Sequence, residues 1–199
     1  MKKIIILLML ISFLPINVFS KTYTLEDTDL KMELKKEWMI FTRDNIKNNK
    51  SLKTINVKYS MIKDYLDSND IYLFGLLNYG EENLIKLIVR KTEIFNIYNL
   101  NKYNDEQISK FGKKVAKEKG ADSFIIYGDK YKFIYLNYKK SDQYLMEFHT
   151  VVNSNVYSIK FKKTTKFNQK EKEIIFNMIN NLTLKINENL EEPKKSWIL

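Results

Sequence analysis

Two spacings of apolar residues alternate along the chain, one of two residues and one of three to four. Residues 22–26 and 30–34 alternate apolar with polar side chains, which is typical of half-buried strands. Residues 37–44, rich in aromatic and β-branched side chains, predict a third short strand, and the Asn- and Lys-rich residues 45–53 predict a surface loop. Residues 60–67 place their apolar positions on one face of a short helix.

The later strands predict an antiparallel meander. Six segments have strand-like composition: residues 71–78, 84–92, 123–127, 131–138, 144–152 and 156–163. The first two form a hairpin and the last four follow one another through short turns, so consecutive antiparallel pairing is the simplest arrangement. In the last strand Tyr157 and its alternate neighbours are apolar, whereas Ser158 and its alternates are polar. That strand therefore has a dry face and a wet face.

Residues 104–119 predict the best-delimited helix of the chain. Asn104 and Gln107 have the spacing of a capping box, and Gly120 follows as a left-handed stop. The predicted buried stripe comprises Ile108, Phe111, Val115 and Ala116. Lys113 lies on the opposite, solvent-facing side.

A last helix, beginning near Asn168, completes the predicted architecture. Its apolar positions recur at helical spacing up to Leu182, and residues 185–199 read as a polar tail. Strands, helix, hairpin, helix, meander and helix in this order predict one α+β domain over residues 21–184. We expect an α/β/α sandwich, with an antiparallel sheet flanked by helices.

The first twenty residues have the pattern of an export signal. Lys2 and Lys3 precede an apolar run over residues 4–14, and short side chains precede a cleavage site after Ser20. Cleavage there would leave Lys21 as the mature N-terminus. The run is shorter than the roughly 18 to 20 residues that span a bilayer; the alternatives are an ordinary N-terminal helix and a retained membrane anchor. The pattern predicts an extracytoplasmic protein, whether secreted, periplasmic or at the cell surface.

Composition excludes several kinds of chemistry. The chain has 199 residues and no cysteine, so disulfides and thiolate metal sites are absent. Its five glycines stand singly, which excludes a glycine-rich phosphate loop. With 34 basic and 24 acidic residues the formal net charge is +10. This surplus favours weak contact with polyanions or a membrane surface, and a solvated, lysine-rich exterior is the simpler explanation.

His149 is the one histidine, and it is interpreted as a structural or surface residue. Zinc sites usually need two or more His or Cys ligands, and a Ser-His-acid triad would depend on this residue alone. Strand alternation places His149 and Glu147 on the face opposite Met146 and Phe148. No catalytic, cofactor-binding or metal-binding residue is assigned, and no cofactor is expected. Paired carboxylates acting in hydrolysis remain open, because their spatial pairing is invisible in a sequence.

Aromatic and lysine residues are interleaved over residues 131–140. Such a segment can stack bases and neutralise phosphates. The alternative is a central strand with its tyrosines in the core, which we favour because the segment lacks any RNA-motif signature. No nucleic-acid partner is expected.

Several segments together resemble a known domain. They are Trp38 after a strand, the run at residues 38–44, residues 70–74 entering the hairpin, residues 150–153 before the last strand, and the Asn-Leu-Thr-Leu end of the last helix. In their order and spacing, residues 23–182 resemble the PsbP/Mog1-type domain of exported proteins from low-GC bacteria. The resemblance implies an α/β/α sandwich used for binding or assembly, without catalytic residues.

The predicted function is therefore that of an exported, non-catalytic binding or assembly domain with an unknown protein or cell-envelope partner. Two alternatives stay open. One is a secreted hydrolase that uses paired carboxylates. The other is a module that attaches electrostatically to polyanions of the cell wall or membrane.

Overall fold

A computed structural model describes residues 20–25, 28, 30–78, 84–94 and 97–187. Residues 1–19 of the predicted export signal, the hairpin loop 79–83 and residues 188–199 of the predicted tail lie outside these ranges. Within the described ranges, no helix is both long and apolar enough to cross a membrane.

The described residues form ten strands and four α-helices. The strands are β1 Ser20–Thr24, β2 Leu30–Lys35, β3 Met39–Thr42, β4 Ile71–Asn78, β5 Leu84–Glu93, β6 Asp122–Tyr127, β7 Lys132–Lys140, β8 Gln143–Val152, β9 Asn155–Lys163 and β10 Thr183–Leu184. The helices are α1 Ser51–Thr54, α2 Tyr59–Ser68, α3 Asp105–Lys119 and α4 Gln169–Asn180. The capping box of Asn104 with Gln107 and the left-handed Gly120 (φ 62°) confirm the predicted ends of α3.

The strands form two antiparallel sheets. The larger has seven strands in the order β3-β4-β5-β9-β8-β7-β6, and the predicted hairpin and meander are both part of it. The smaller has the order β1-β2-β10. Strand β10 was not predicted, because its two residues carry no periodicity and it exists only through pairing with Leu30 and Lys31.

The small sheet and α4 cover one face of the large sheet, which we call the inner face. Its core is aromatic: Phe133, Phe148 and Phe161 are fully buried, and the rings of Phe148 and Phe161 meet edge to face at 6.1 Å. Tyr131 and Tyr135 are buried here too. Burial raises the pKa of Tyr135 to about 12. The rings of Phe133 and Tyr135 on β7 therefore belong to the core, in line with the central strand favoured for residues 131–140.

Two helices cover the opposite face, here called the outer face, but only at its ends. Helix α2 packs Ile62 and Leu66 against β3 and β4, and α3 packs Ile108 and Ala116 against β6 and β7. The middle strands β5, β9 and β8 lie between these two apolar clusters. The predicted helix-covered antiparallel sheet is confirmed, with a gap at the centre of its outer layer.

The buried stripe of α3 differs from the prediction. Its fully buried residues are Ile108, Gly112 and Ala116, while Phe111 and Val115 flank them half-buried. A Cβ at Gly112 would lie 3.2 Å from Ser123 Oγ, so the helix backbone sits directly on the sheet. The sequence prediction chose Phe111 because it is hydrophobic. The close approach of the helix backbone to the sheet instead favours Gly112, which has no side chain. Phe111 is thus less central than the sequence predicted.

The prediction of a surface loop at residues 45–53 is also wrong. It contains a 3₁₀ turn at Ile46–Asn48 and the start of α1. Ile46 is buried in the cluster under α2, and the side-chain amide of Asn49 donates to the Ile40 carbonyl at 2.5 Å. One apolar anchor and side-chain bonds to the backbone order a segment that looks featureless in composition.

The chain stays attached to the domain beyond β10. Asn187 donates its backbone N–H to Asn153 Oδ1 at 2.9 Å, and Asn153 Nδ2 donates to the Lys185 carbonyl at 2.8 Å. Asn153 and Ser154 both have positive φ, as the tight β8–β9 turn requires. Residues 185–187, placed in the tail by the sequence, therefore pack on this turn.

Candidate functional site

The gap between α2 and α3 is a cleft of about 380 Å³ on the outer face. Tyr65 and Asn69 line it from the α2 side and Lys119 from the end of α3. The β7–β8 turn, with Lys140 and Ser141, closes one end. The cleft lies between the two helices, which are docked by separate apolar clusters toward opposite ends of the sheet.

Strand register places the floor residues of the cleft in three rows. Across β5, β9 and β8 the rows are Arg90, Ser158, His149; Ile88, Lys160, Glu147; and Lys86, Lys162, Leu145. Directly opposite residues on one face have Cβ atoms about 4.5–5.5 Å apart, so each row is a set of interacting neighbours. Two-residue alternation thus brings polar side chains from three strands onto one covered surface.

Glu147 is the anchor of this surface. Its side chain is 1% exposed, yet its carboxylate accepts hydrogen bonds from four groups. Oε1 accepts from Tyr138 at 2.6 Å and from Lys160 at 2.6 Å, and Oε2 accepts from Lys119 and from His149 at 3.2 Å. A carboxylate offers about four lone-pair sites, so all of them are in use.

These bonds fix the charge of Glu147. Burial alone would raise the pKa of this carboxyl, but the donors His149, Lys119, Lys160 and Tyr138 outweigh burial and hold the pKa well below its usual range. In return, burial together with the bond to Glu147 raises the pKa of Tyr138. Glu147 is therefore ionised at every physiological pH.

A hydrogen-bonded series connects Ser158, His149 and Glu147. Ser158 Oγ lies 2.6 Å from His149 Nδ1, and His149 Nε2 lies 3.2 Å from Glu147 Oε2. An ionised carboxylate can only accept, so Nε2 carries the proton in neutral His149 and Nδ1 accepts from the Ser158 hydroxyl. The series fixes both the tautomer of the histidine and the orientation of the hydroxyl.

The same three residue types form hydrolase triads, but the surroundings differ. Ser158 lies within β9, which is paired on both sides, so the sheet ladders engage its neighbouring backbone N–H groups and leave no oxyanion hole there. Glu147 already shares its charge with Lys119 and Lys160. Among the described residues that line the cleft it is also the one carboxylate, so the paired-carboxylate mechanism finds no second partner there.

Cations are in excess in the cleft. Its described lining has five basic side chains, namely Arg90, Lys119, Lys140, Lys160 and Lys162, and one carboxylate. Burial, reinforced by the nearby charges of Lys86, Lys160 and Arg90, lowers the pKa of Lys162. Arg90 Nε is buried, and within the described part of the chain it has no hydrogen-bond partner. A buried donor without a partner among crowded cations is suited to an anionic acceptor.

Metal binding has less support. In the ranges that the structure describes, no three His, Cys, Asp or Glu side chains are grouped as metal ligands. Among the described residues that line the cleft the one such pair is Glu147 with His149, and all lone pairs of Glu147 are in use.

Sequence reasoning found part of this site. Alternation correctly placed His149 and Glu147 opposite Phe148, but it could not show that this face is covered: His149 is 8% exposed. The residues it missed are Arg90, Lys160 and Lys162, which read as the wet face of their strands. The available signal was that β5, β8 and β9, neighbours in one sheet, all carry charge at alternate positions.

Comparison with known proteins supports the fold alone. No protein-family model matches the sequence, and no curated protein matches it significantly. Among solved structures, the solution structure of cyanobacterial PsbP (CyanoP) from Synechocystis sp. PCC 6803 is similar, with a TM-score of 0.50 and 9% identity. The match covers 87% of this chain and 96% of that chain. The fold is PsbP-like. The PsbP part of the sequence resemblance is thus supported as a fold, and at 9% identity no site residue is transferred.

Proposed function

We propose that this chain is an exported, non-catalytic binding domain whose ligand carries an anionic group that enters the cationic cleft. The observation that carries the proposal is the charge of the cleft: five basic side chains surround one carboxylate whose lone pairs are all occupied. A PsbP-like fold is consistent with a binding or assembly domain.

The energetics favour an anion over a purely structural role. Like charges packed on partly buried strands repel one another, and the lowered pKa of Lys162 reflects burial first and then this repulsion. A structural network would balance its charges, as the Lys163–Glu171 pair does on the inner face. An anion in the cleft would relieve the repulsion and supply an acceptor for Arg90 Nε.

We propose the partner by its chemical class. A cell-envelope component with phosphate or carboxylate groups would suit a protein exported from a low-GC bacterium. Attachment to wall or membrane polyanions through dispersed surface lysines is the competing interpretation. Binding in the cleft and attachment through dispersed lysines both weaken as ionic strength rises, so the salt dependence of the affinity distinguishes them poorly. The location of the charges distinguishes them well.

Anion binding is testable by an NMR titration with inorganic sulfate at constant ionic strength. The wild type should show saturable shifts of amides in β5, β8 and β9. The double variant Arg90→Gln/Lys162→Gln should lose most of the affinity. A matched control, Lys113→Gln/Lys114→Gln on the exposed side of α3, removes the same charge and should bind as the wild type. Equal losses in both variants would support dispersed attachment instead.

Export is tested separately. Expressed in its host, the protein should be recovered outside the cytoplasm, and N-terminal sequencing should begin at or near Lys21. Because β1 begins at Ser20, cleavage after this residue leaves Lys21 to Thr24 available to pair with β2. Recovery of a soluble cytoplasmic species with an intact Met1 would contradict export.

A further inference from the structure

The Ser158 hydroxyl occupies a special position in the cleft. In the sheet register it stands directly between Arg90 on β5 and His149 on β8. With neutral His149 its one proton is committed to Nδ1, 2.6 Å away. A hydroxyl that donates to histidine presents only lone pairs elsewhere, and lone pairs repel an anion. The hydroxyl proton of Ser158 is therefore turned away from a ligand beside Arg90.

Protonation of His149 would reverse this hydrogen bond. A proton taken from solvent enters at Nδ1, because Nε2 already donates to Glu147. Nδ1–H then donates to Ser158 Oγ, and the hydroxyl proton becomes available for a ligand. The same event adds one positive charge to the cleft.

Charged neighbours determine the direction of the coupling. The titratable and charged groups around His149 are Glu147 on its own strand, Lys160 on β9, Arg90 on β5, Lys119 on α3, Tyr138 on β7 and Tyr65 on α2. Glu147 stabilises an imidazolium, while the surrounding cations oppose it. An anion among these cations removes part of the opposition and so favours proton uptake.

We infer that the cleft binds a tetrahedral oxyanion of the phosphate class and that His149 takes up a proton as the anion binds. This inference rests on the proposed anion-binding function and names its ligand class and its regulation. Donors from all three cross-strand rows line one space, namely Arg90 with Ser158, Lys160 and Lys162, which suits an anion with three or four oxygens better than a planar carboxylate.

The test uses sulfate, because sulfate stays doubly charged at all the pH values used and the pH dependence then reports on the protein. Affinity for sulfate is measured by NMR at constant ionic strength at pH 5.5 and pH 8. We expect the wild type to bind at least about fivefold more tightly at the lower pH, a typical coupling between two sites. By linkage, saturating sulfate should move the titration midpoint of the His149 imidazole upward by about 0.7 pH unit.

The imidazole signal of His149 can be followed without overlap from other histidines. His149 is the only histidine, so its imidazole signals need no assignment in an untagged protein. His149→Gln should remove the pH dependence, and Ser158→Ala should weaken it while leaving a titrating histidine. The imidazole measurement on the wild type decides the matter even where a variant does not fold.

The outcomes separate the two proposals. Sulfate binding in the cleft with equal affinity at both pH values, or with the same pH dependence in His149→Gln, overturns the coupling and leaves the anion site standing. An absence of cleft binding at either pH overturns both.

Inorganic phosphate should displace sulfate, and failure to do so contradicts the phosphate class. If phosphatidylglycerol vesicles bind and sulfate displaces them, the phosphate source is a lipid headgroup; no vesicle binding assigns it to a soluble or wall phosphate.

Discussion

The two faces of the seven-stranded sheet bury carboxylates in different ways. On the inner face Glu171 meets one ammonium group, that of Lys163, at 2.6 Å, and both side chains are at most 5% exposed. On the outer face Glu147 meets two ammonium groups, those of Lys119 and Lys160, which are about a quarter exposed, and further cations line the cleft around it. The first arrangement is balanced and closed, whereas the second has surplus charge and opens to solvent.

This difference separates Glu171, whose role is structural, from Glu147, which lies in the proposed binding site. The Lys163–Glu171 pair attaches α4 to β9 and also completes the capping box at Asn168, so every contact has a structural role. In the cleft, Lys162 is a cation that does not contact Glu147, and burial together with the charges of Lys86, Lys160 and Arg90 lowers its pKa. Local conflicts of this kind are concentrated at functional sites. The outer face is therefore where we place the ligand.

The apolar part of the inner face should give the largest effect on stability. Phe148→Ala removes a fully buried ring that packs against Tyr135, Phe161 and Phe176, and it should cost about 3–5 kcal/mol of unfolding free energy. Phe124→Ala, at a ring that is 54% exposed, should cost less than about 1 kcal/mol. Urea denaturation measures both, and similar losses would refute the assignment of the inner core.

The two buried carboxylates should differ in the same assay. Glu171→Gln removes the carboxylate that the buried ammonium of Lys163 contacts at 2.6 Å and should cost about 3–5 kcal/mol. Glu147→Gln should cost less, about 1–2 kcal/mol, because Lys119 and Lys160 can turn to solvent once released. A larger loss for Glu147→Gln would mean that its network is mainly structural.

Acid should act on the outer face through Glu147. Its pKa in the folded protein lies below the ordinary value of about 4.3, so ionised Glu147 contributes stability above that pH, and the contribution is lost as pH falls toward the folded pKa. The stability gap between wild type and Glu147→Gln should thus be widest near pH 6–7 and narrow below about pH 4.5. Unfolding curves at several pH values measure the gap, and a constant gap would contradict the assigned charge state.

The features that could be predicted from the sequence are those set by residues close together in the chain. The caps of α3 and the alternation in β9 are local, and both were predicted correctly. Strand β10 and the stripe through Gly112 depend on what another segment places opposite them, and both were missed. The cleft is the extreme case: Arg90, Ser158 and His149 form one row only after β5, β9 and β8 pair.

The smallest expected effect is a gain in stability. Because burial and the neighbouring cations lower the pKa of Lys162, its charge opposes folding at neutral pH, and Lys162→Gln should stabilise the protein by about half a kcal/mol at low salt. The gain should shrink as chloride is added. Thermal unfolding in chloride measures this change, with Lys113→Gln as the matched exposed control. A clear loss of stability in Lys162→Gln would show that the cleft is not strained by its cations.

The central claim is that the cleft holds an anion, and its most direct test is to locate one. Crystals grown with selenate, a tetrahedral dianion that anomalous scattering identifies, should show a peak within hydrogen-bond distance, about 3.2 Å, of Arg90 and of Ser158 or Lys162. Crystals of Arg90→Gln/Lys162→Gln under the same conditions should lack that peak. Selenate bound only at dispersed surface lysines, with the cleft empty in the wild type, would contradict the account.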